Sequence, residues 1–596
     1  MTSKRLFAMS AVALATVVGS AASAGDVLGD FRVLPYLQSP STDGMIVNWF
    51  TSVDQAGTLT VYGPGLASPL SFASTPELLS EIDYATSEKN LNPRPADMQW
   101  PDNSNYKHSV TLTGLQPDTV YNYVVEQGST IRGGTLRTAP LPDSDRLLRF
   151  AVLSDSETLV IGRTTNREWS AGAQAPGSTG RPSGTGIGRD RYLLTETVGY
   201  QENIKAMKTR QPDLIIMPGD LIQGNGNEPQ RRYDEFWRHN AGEYDTILSN
   251  IPLIPAIGNN CIFYNSWSNN DTIQIARKQF SAYFDTPSNG FPEFQDLFSR
   301  VDYGPVTIIT LSSVKGVEPA NHLVPERDTN RVWSNLYTFG DVPDFNPGTV
   351  QWNWAEQQLA DARAAGQIIV VQWHHTPYSR GIHGSATTSP QSGEAMRQYT
   401  PLLEQYKVAA VFAGHSEVFE RSFLDQDNDG FGINYWDVGA AGDGLRGVET
   451  TFDNSFSQWT ADQSEGELWN GNTLLEGGKH YGFLEVDVAR LSNGEFRVAF
   501  QPWHVFPVNQ DFVVTDFDLR RYNDRVVLRG PADNLQPIDK ALCVADLNAD
   551  TTVDFSDVNR VLSAFGTNDA EADANGDGVV DFGDLSIVLG AFGEGC

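Results

Sequence analysis

The sequence predicts three folded units in series: an all-β sandwich over residues 25–140, an α/β domain over 146–529 and a small all-α calcium-loop repeat domain over 541–596, with a linker at 530–540. Three observations predict this order. Short alternating runs separated by Gly, Pro, Asp and Ser fill the first segment, and apolar runs then alternate with helical stretches. The last segment duplicates an acidic loop, each copy followed by a short apolar helix. Among 596 residues, 40% are hydrophobic and 11% aromatic, enough to build several cores. Acidic side chains outnumber basic ones 74 to 42, a net charge of -32, which excludes binding along a nucleic-acid backbone and favours cations instead.

Residues 1–24 read as a signal peptide: Lys4 and Arg5 precede an apolar run from Leu6 to Val18, and Ala22-Ser23-Ala24 supplies small residues for cleavage. The mature chain is expected to start near Gly25 and to be secreted or attached to a cell surface. No later stretch reaches the ~18–20 apolar residues that a membrane helix needs, so no transmembrane segment is expected. In an oxidising compartment Cys543 and Cys596, which bracket the last unit, are expected to pair, the alternative being Cys596 as a handle for attachment. Cys261 is then a packed thiol.

In the first unit, Met45-Ile46-Val47-Asn48-Trp49, His108-Ser109-Val110-Thr111-Leu112 and Thr119 to Val125 read as strands that each bury one face. The segment Leu115 to Tyr123 resembles the closing part of a fibronectin type III domain. With Pro35-Tyr36-Leu37-Gln38 it is similar to the N-terminal domain of purple acid phosphatases. A packing role is expected of it, since it carries no constellation of reactive side chains.

In the second unit, Glu196 to Arg210 and Val350 to Ala365 read as helices, and the Gly/Ser/Thr-rich stretch between Ser170 and Asp190 as a surface insertion or an active-site lid. One local event recurs five times: an apolar run ends and a metal-competent side chain follows. Asp155, Asp220, Asn259, His374 and His415 are those side chains. Ligands of α/β sheets bind beyond the carboxyl ends of strands, so five such ends can converge on one site.

With these motifs the domain resembles the calcineurin-like metallophosphoesterases of the purple acid phosphatase-like branch. The flanking Tyr283-Phe284, Val301-Asp302-Tyr303-Gly304 and Tyr435-Trp436-Asp437-Val438-Gly439 segments extend the resemblance. It implies two sheets sandwiched between helices, four layers in all, and two metal ions bridged by Asp220. Asn259, His374 and His415 would complete the second metal position. His374 rather than His375 is the implied ligand because Tyr378 lies four residues beyond it.

The first metal position departs from the family. Asp155-Ser156-Glu157 stands where Asp-x-His or Asp-x-Gly is usual, and Gly414-His415-Ser416-Glu417 where Gly-His-x-His is usual. If Glu157 and Glu417 bind, four carboxylates with Asp155 and Asp220 make an oxygen-only site suited to harder ions; Glu157 can equally face solvent or cap the next segment. Iron, manganese, zinc and magnesium all remain candidate ions. Gln223 replaces the tyrosine that gives purple acid phosphatases their colour, so none is expected here. Asn260 replaces the histidine that assists the leaving oxygen, a contribution of typically ~10²- to 10⁴-fold. His375, His383 in its glycine-flanked loop, or His239 could compensate, and Arg380 could hold a phosphate oxygen.

In the third unit, Asp546, Asn548, Asp550, Thr552, Asp554 and Asp557 recur as Asp573, Asn575, Asp577, Val579, Asp581 and Asp584. Oxygens at loop positions 1, 3, 5, 9 and 12, with a backbone carbonyl at 7, are what Ca²⁺ takes for its shell. Thr551 replaces the turn glycine of the first copy. Such repeats, with Asp at position 12 and a Gly595-Cys596 end, resemble dockerin modules, which implies a cohesin-like or cell-surface receptor as partner. Asp425 to Gly430 imitates the start of a calcium loop, but Trp436 at its position 12 cannot close a shell, so a β-hairpin turn is expected there.

These readings together predict an exported metal-dependent hydrolase of phosphorylated small molecules or polymers, a phosphatase or phosphodiesterase. The competing expectation is a metal-bearing protein without turnover that serves attachment or phosphate-ligand capture. Asn260 and Glu417 favour the second; the complete second metal position favours the first.

Overall fold

The structure is a computed structural model. It describes residues 28–84, 86–90, 104–156, 196–223, 229–262, 270–314, 342–385, 389, 391–426, 430–442, 445–448, 454–461, 466–471, 473–491, 493–511, 513–538, 545–547, 552–567, 569, 572–575 and 579–593. The signal peptide, the insertion at 170–190, Glu157, Cys543, Cys596, Asn548, Asp550 and Asp577 lie outside the described residues.

The N-terminal unit consists of two four-stranded antiparallel sheets. Alternation along Val120–Gln127 puts Tyr121, Tyr123 and Val125 in the core between them and leaves Val120, Asn122 and Glu126 exposed. Tyr121 fixes the preceding turn by accepting the Gln116 N–H on its hydroxyl at 2.9 Å. The unit is welded to the domain that follows. Arg32, fully buried, places Nη2 at 2.7 Å from Asp234 Oδ1, and Tyr36 donates to the Tyr283 carbonyl at 2.6 Å. The Tyr36 ring also lies 4.4 Å from that of Trp237.

The central domain has two sheets of eight and seven strands. Leu148–Val152, Leu214–Met217 and Leu253–Pro255 run parallel in the first, and Val306–Thr310, Ile368–His375, Ala410–Gly414 and Ile433–Val438 run parallel in the second. Both faces of these strands are covered, which is why they read as unbroken apolar runs. Leu148, Phe150 and Val152 meet Val306, Ile368, Phe412 and Trp436 in the core between the sheets. The alternate residues Ala151, Leu153 and Met217 pack outward against Ile204, Tyr233 and Phe236 of the helices.

Those helices form where the sequence allows them. Glu196–Arg210 ends on Lys208 and Arg210, charges that suit a helix C-terminus. Pro229–Asn240 starts on proline, whose missing N–H costs nothing at the first helical position. Val350–Ala364 covers the second sheet. The strands Phe419–Leu424 and Ile433–Val438 pair antiparallel, with Gly430 N–H on Asp425 Oδ2 at 3.1 Å, while residues 427–429 of the expected hairpin turn lie outside the described residues.

The C-terminal unit shows two helices, Phe555–Ala564 and Phe582–Gly590, around a small core that includes Val553, Val561, Ala572, Val580 and Val588. Asp554 and Asp557 form a capping box on the first helix, and Asp581 and Asp584 repeat it on the second. Four of the acidic positions therefore also set the helix starts. Among the described residues, no helix is long and apolar enough to cross a membrane.

Candidate metal centre

Asp155 and Asp220 stand three residues past the strands Leu148–Val152 and Leu214–Met217, His415 directly follows Ala410–Gly414, and each turns away through a left-handed backbone, with φ of 58°, 46° and 78°. Glu417 does the same at 53°. A non-glycine residue in that region stores strain of ~1–3 kcal/mol, held by the packed strands on either side. Glycines make room for the carboxylates. A Cβ at Gly258 would lie 2.1 Å from Asp220 Oδ1, and one at Gly414 the same distance from Asp155 Oδ2.

Three of the predicted ligands, Asp220, His374 and His415, bring their ligand atoms within 4.8 Å of one another, all buried. His374 shows most about what belongs between them. Its Nδ1 lies 3.0 Å from the Pro218 carbonyl oxygen, which can only accept, so Nδ1 carries the proton. Its Nε2 then presents a lone pair, yet lies 2.9 Å from both Asp220 Oδ2 and Asn259 Oδ1. Three electron-rich atoms facing one another in a dry interior call for a positive charge, supplied either by a second proton on His374, where burial lowers the pKa but Asp220 raises it further, or by a bound metal cation. His415 is oriented in the same way: Nε2 donates to the Gln391 carbonyl at 2.8 Å, which leaves Nδ1 as its donor atom toward a metal. The donor set of Asp220, Asn259, His374 and His415 thus fits a metal ion of borderline character.

Asp155 accepts the His415 N–H at 2.9 and 3.0 Å and borders the same pocket. Burial, opposed by His374 and reinforced by Asp220, pushes its carboxyl up to about 7. A proton and a cation therefore compete there below neutrality. Cation uptake is expected to weaken as pH falls below about 7, and calorimetric titration with Mn²⁺ at several pH values measures this, with proton release at acid pH and none above neutrality.

Other predicted residues are placed differently. Glu417 Oε2 lies 2.5 Å from Arg446 Nε, an ion pair the sequence reading did not anticipate. Glu157 lies outside the described residues. Asn260 grips the bridging candidate with two donors, its backbone N–H to Asp220 Oδ1 and its Nδ2 to Asp220 Oδ2, both at 2.8 Å. Truncation by Asn260→Ala is expected to lower metal affinity by ~10–100-fold, read by competition with a chelator dye.

His375 is buried, with Nδ1 3.0 Å from Ser313 Oγ and Nε2 3.1 Å from Gln391 Oε1. It braces the His415 ring at 4.3 Å. His383 is half-buried and stacks on His415 at 4.0 Å, with Nδ1 2.7 Å from Ser389 Oγ. Arg380 donates its backbone N–H to Glu420 Oε2 at 2.7 Å. His239 packs between Tyr200 and Tyr244 in the helix that meets the N-terminal unit. Cys261 is buried beside the site; burial and Asp220 push its thiol up to about 12. The orienting carbonyls of Pro218 and Gln391 escaped the sequence reading, since backbone groups leave no signature there.

Two α/β sheets whose parallel strands deliver carboxylate, amide and imidazole to one buried pocket define the class of metal-dependent phosphoesterases. Residues 148–418 match the family described as calcineurin-like phosphoesterase, and residues 32–138 the purple acid phosphatase N-terminal domain. The two matches lie end to end over the N-terminal sandwich and the domain that holds the pocket. The chain is similar to an uncharacterized protein of Mycobacterium tuberculosis, 26% identical over 396 residues, which cover 65% of this chain and 61% of that protein. Purple acid phosphatase 23 of Arabidopsis thaliana is 23% identical over 53% of this chain and 57% of its own length. Among solved structures, a purple acid phosphatase of yellow lupin seeds shares the fold, with TM-score 0.51 and 15% identity over 81% of this chain and 73% of that one.

Proposed function

We propose that this chain is a secreted phosphoester hydrolase with a dinuclear metal centre, tethered through its C-terminal repeat. The observation that carries the reading is the His374 Nε2 lone pair facing Asp220 and Asn259 oxygens, with the ring proton committed to Pro218. Asp220 would be shared by two ions, with Asn259, His374 and His415 on one and Asp155, Glu157 and Glu417 toward the other. Ions bound there neutralise phosphoryl oxygens and acidify water for in-line attack. Asn260 holds the shared carboxylate still. His383, the half-buried imidazole stacked on His415, is the group placed to exchange a proton at the leaving oxygen. Iron, manganese, zinc and magnesium are the candidate ions, and phosphorylated small molecules or polymers the substrate class.

The C-terminal loops are assigned Ca²⁺, held by Asp546, Asn548, Asp550, Thr552, Asp554 and Asp557 and by the matching Asp573, Asn575, Asp577, Val579, Asp581 and Asp584. The receptor would be cohesin-like or another cell-surface protein, reached by a chain exported through residues 1–24. Release of p-nitrophenol from its phosphate mono- and diesters tests the activity. His383→Ala is expected to slow esters of poor leaving groups more than activated ones.

A second reading rests on Asn260 and Glu417, which the structure ties to Asp220 and Arg446. In it the protein binds metal and phosphate ligands without turning them over. Asn260→His separates the two: a leaving-group-dependent gain marks a weakened enzyme, and a metal-loaded variant that gains nothing favours the binder.

A further inference from the structure

Histidines crowd the metal pocket, and most of their ring nitrogens are already committed. His374 and His415 each spend one nitrogen on a carbonyl, of Pro218 and of Gln391, and turn the other to the metal position. His375 lies between Ser313 Oγ and Gln391 Oε1, at 3.0 and 3.1 Å. Asn260, at the position where a histidine is usual, gives its backbone N–H and its Nδ2 to Asp220. His383 is left, stacked on His415 at 4.0 Å with the ring planes 24° apart.

Two buried residues hold the loop of His383 and then its ring. Glu420, in the strand Phe419–Leu424, accepts on Oε2 from Ser379 Oγ at 3.1 Å and from the Arg380 N–H at 2.7 Å. Gly381 lets the loop rest on the last metal motif, since a Cβ there would lie 2.5 Å from Ser416 Cβ. Ser389, 6% exposed, takes the ring itself, with Oγ 2.7 Å from His383 Nδ1. The same Oγ accepts the Gln391 N–H at 3.2 Å. An amide N–H can only donate, so it uses a lone pair of the hydroxyl. The hydroxyl's own proton meets no other acceptor among the described residues and is directed at Nδ1. Were Nδ1 the donor, that proton would be buried without an acceptor, at a cost of ~1–3 kcal/mol. Nδ1 therefore accepts, and Nε2 carries the ring proton.

We infer that Ser389 is a positioning residue that locks the neutral His383 ring in its Nε2–H form, and that this N–H is a hydrogen-bond donor to the leaving oxygen of the phosphoester. The donor role rests on the reading of the chain as a phosphoester hydrolase and narrows what His383 does there. A neutral ring that surrendered its Nε2 proton would become an anion, and the Ser389 hydroxyl is too weak an acid to resupply Nδ1. The proton therefore stays on Nε2 and polarises the P–O bond without being transferred. Charge grows on the leaving oxygen as that bond lengthens, so a donor already aimed there binds the transition state more tightly than the substrate. The segment that holds His383 by Ser389 also holds His415 by the Gln391 carbonyl, so one short stretch sets the donor nitrogen of the first ring and the ligand nitrogen of the second.

The test reads the ring directly. The full chain, labelled with ¹⁵N-histidine and loaded with Zn²⁺, is measured by NMR at about pH 8.5, where an ordinary imidazole is neutral. The His383 signals are identified by their loss in His383→Gln. The wild type and Ser389→Thr are expected to carry the proton on Nε2, and Ser389→Ala to show a population with it on Nδ1. In parallel, Ser389→Ala should lower kcat on phenyl phosphate by roughly tenfold or more, a fraction of what outright loss of such a donor costs. KM should change little, p-nitrophenyl phosphate should suffer less, and Ser389→Thr should restore the rate. A wild-type ring protonated on Nδ1, or an Nε2–H form that persists fully in Ser389→Ala, overturns the lock. A shifted tautomer with wild-type rates on both esters overturns the donor role. If a wild type with the Nε2–H ring cleaves neither ester, the hydrolase reading falls and the donor role with it, while the lock stands on the NMR result.

Discussion

Asp220→Asn is expected to abolish turnover while leaving the fold intact. The substitution keeps the shape of a side chain that is 1% exposed but removes the charge that Asn260 grips and His374 faces. A metal centre contributes several kcal/mol to the transition state of phosphoester cleavage, so the loss should reach ~10³-fold or more in kcat. Elemental analysis should show metal lost from the central domain, and circular dichroism an unchanged sheet content. A variant that loses its metal but keeps wild-type turnover would separate the chemistry from this pocket altogether.

Arg32→Ala is expected to be the most destabilising single change away from the metal centre. Arg32 and Asp234 are 0% and 1% exposed. Arg32 also donates to Tyr283 Oη at 3.2 Å and to Asn105, while Asp234 accepts from Tyr84. Removing the guanidinium leaves a carboxylate buried between the N-terminal unit and the helix Pro229–Asn240, at a cost of ~3–5 kcal/mol. Replacing both partners, as Arg32→Met with Asp234→Leu, should recover most of that loss, because the pair's own net contribution is small. Urea unfolding of the three proteins measures it.

How far the site was legible depended on whether a residue's role came from its own strand or from a distant loop. Asp155, Asp220, Asn259, His374 and His415 were readable because each stands at the end of an apolar run, and the strand that buries the run also aims the side chain. Strand alternation explains why adjacent histidines part: His374 turns to Asp220 and His375 to Ser313. Asn260 was read as a weakened partner for a leaving group; its hold on Asp220 spans 40 residues and has no local signature. The Arg446 ion pair of Glu417 was hidden for the same reason. The duplication of the acidic segment was legible, but not the contacts of Asp546 with Arg529 and of the Ala574 carbonyl with Arg525, which tertiary packing alone creates.

At fold level the two sheets of the central domain followed from buried parallel strands, which need apolar residues on both faces and so leave a strong signal. The weld between the N-terminal unit and the helices Pro229–Asn240 and Asn270–Tyr283 did not show, although its residues did. Arg32 and Tyr36 sit in a strand whose side chains on both faces are buried, Phe31 to Gln38. Such an unbroken buried stretch containing an arginine is the sequence trace of an interface between domains.

The central claim is that Asp220, Asn259, His374 and His415 hold metal for phosphoester hydrolysis. It is tested most directly by stripping the purified protein with a chelator, restoring one candidate ion at a time and following hydrolysis of an activated aryl phosphate. The account predicts no turnover in the stripped protein and recovery that saturates as the central domain fills with two ions. A protein carrying both ions and cleaving neither mono- nor diesters would contradict it.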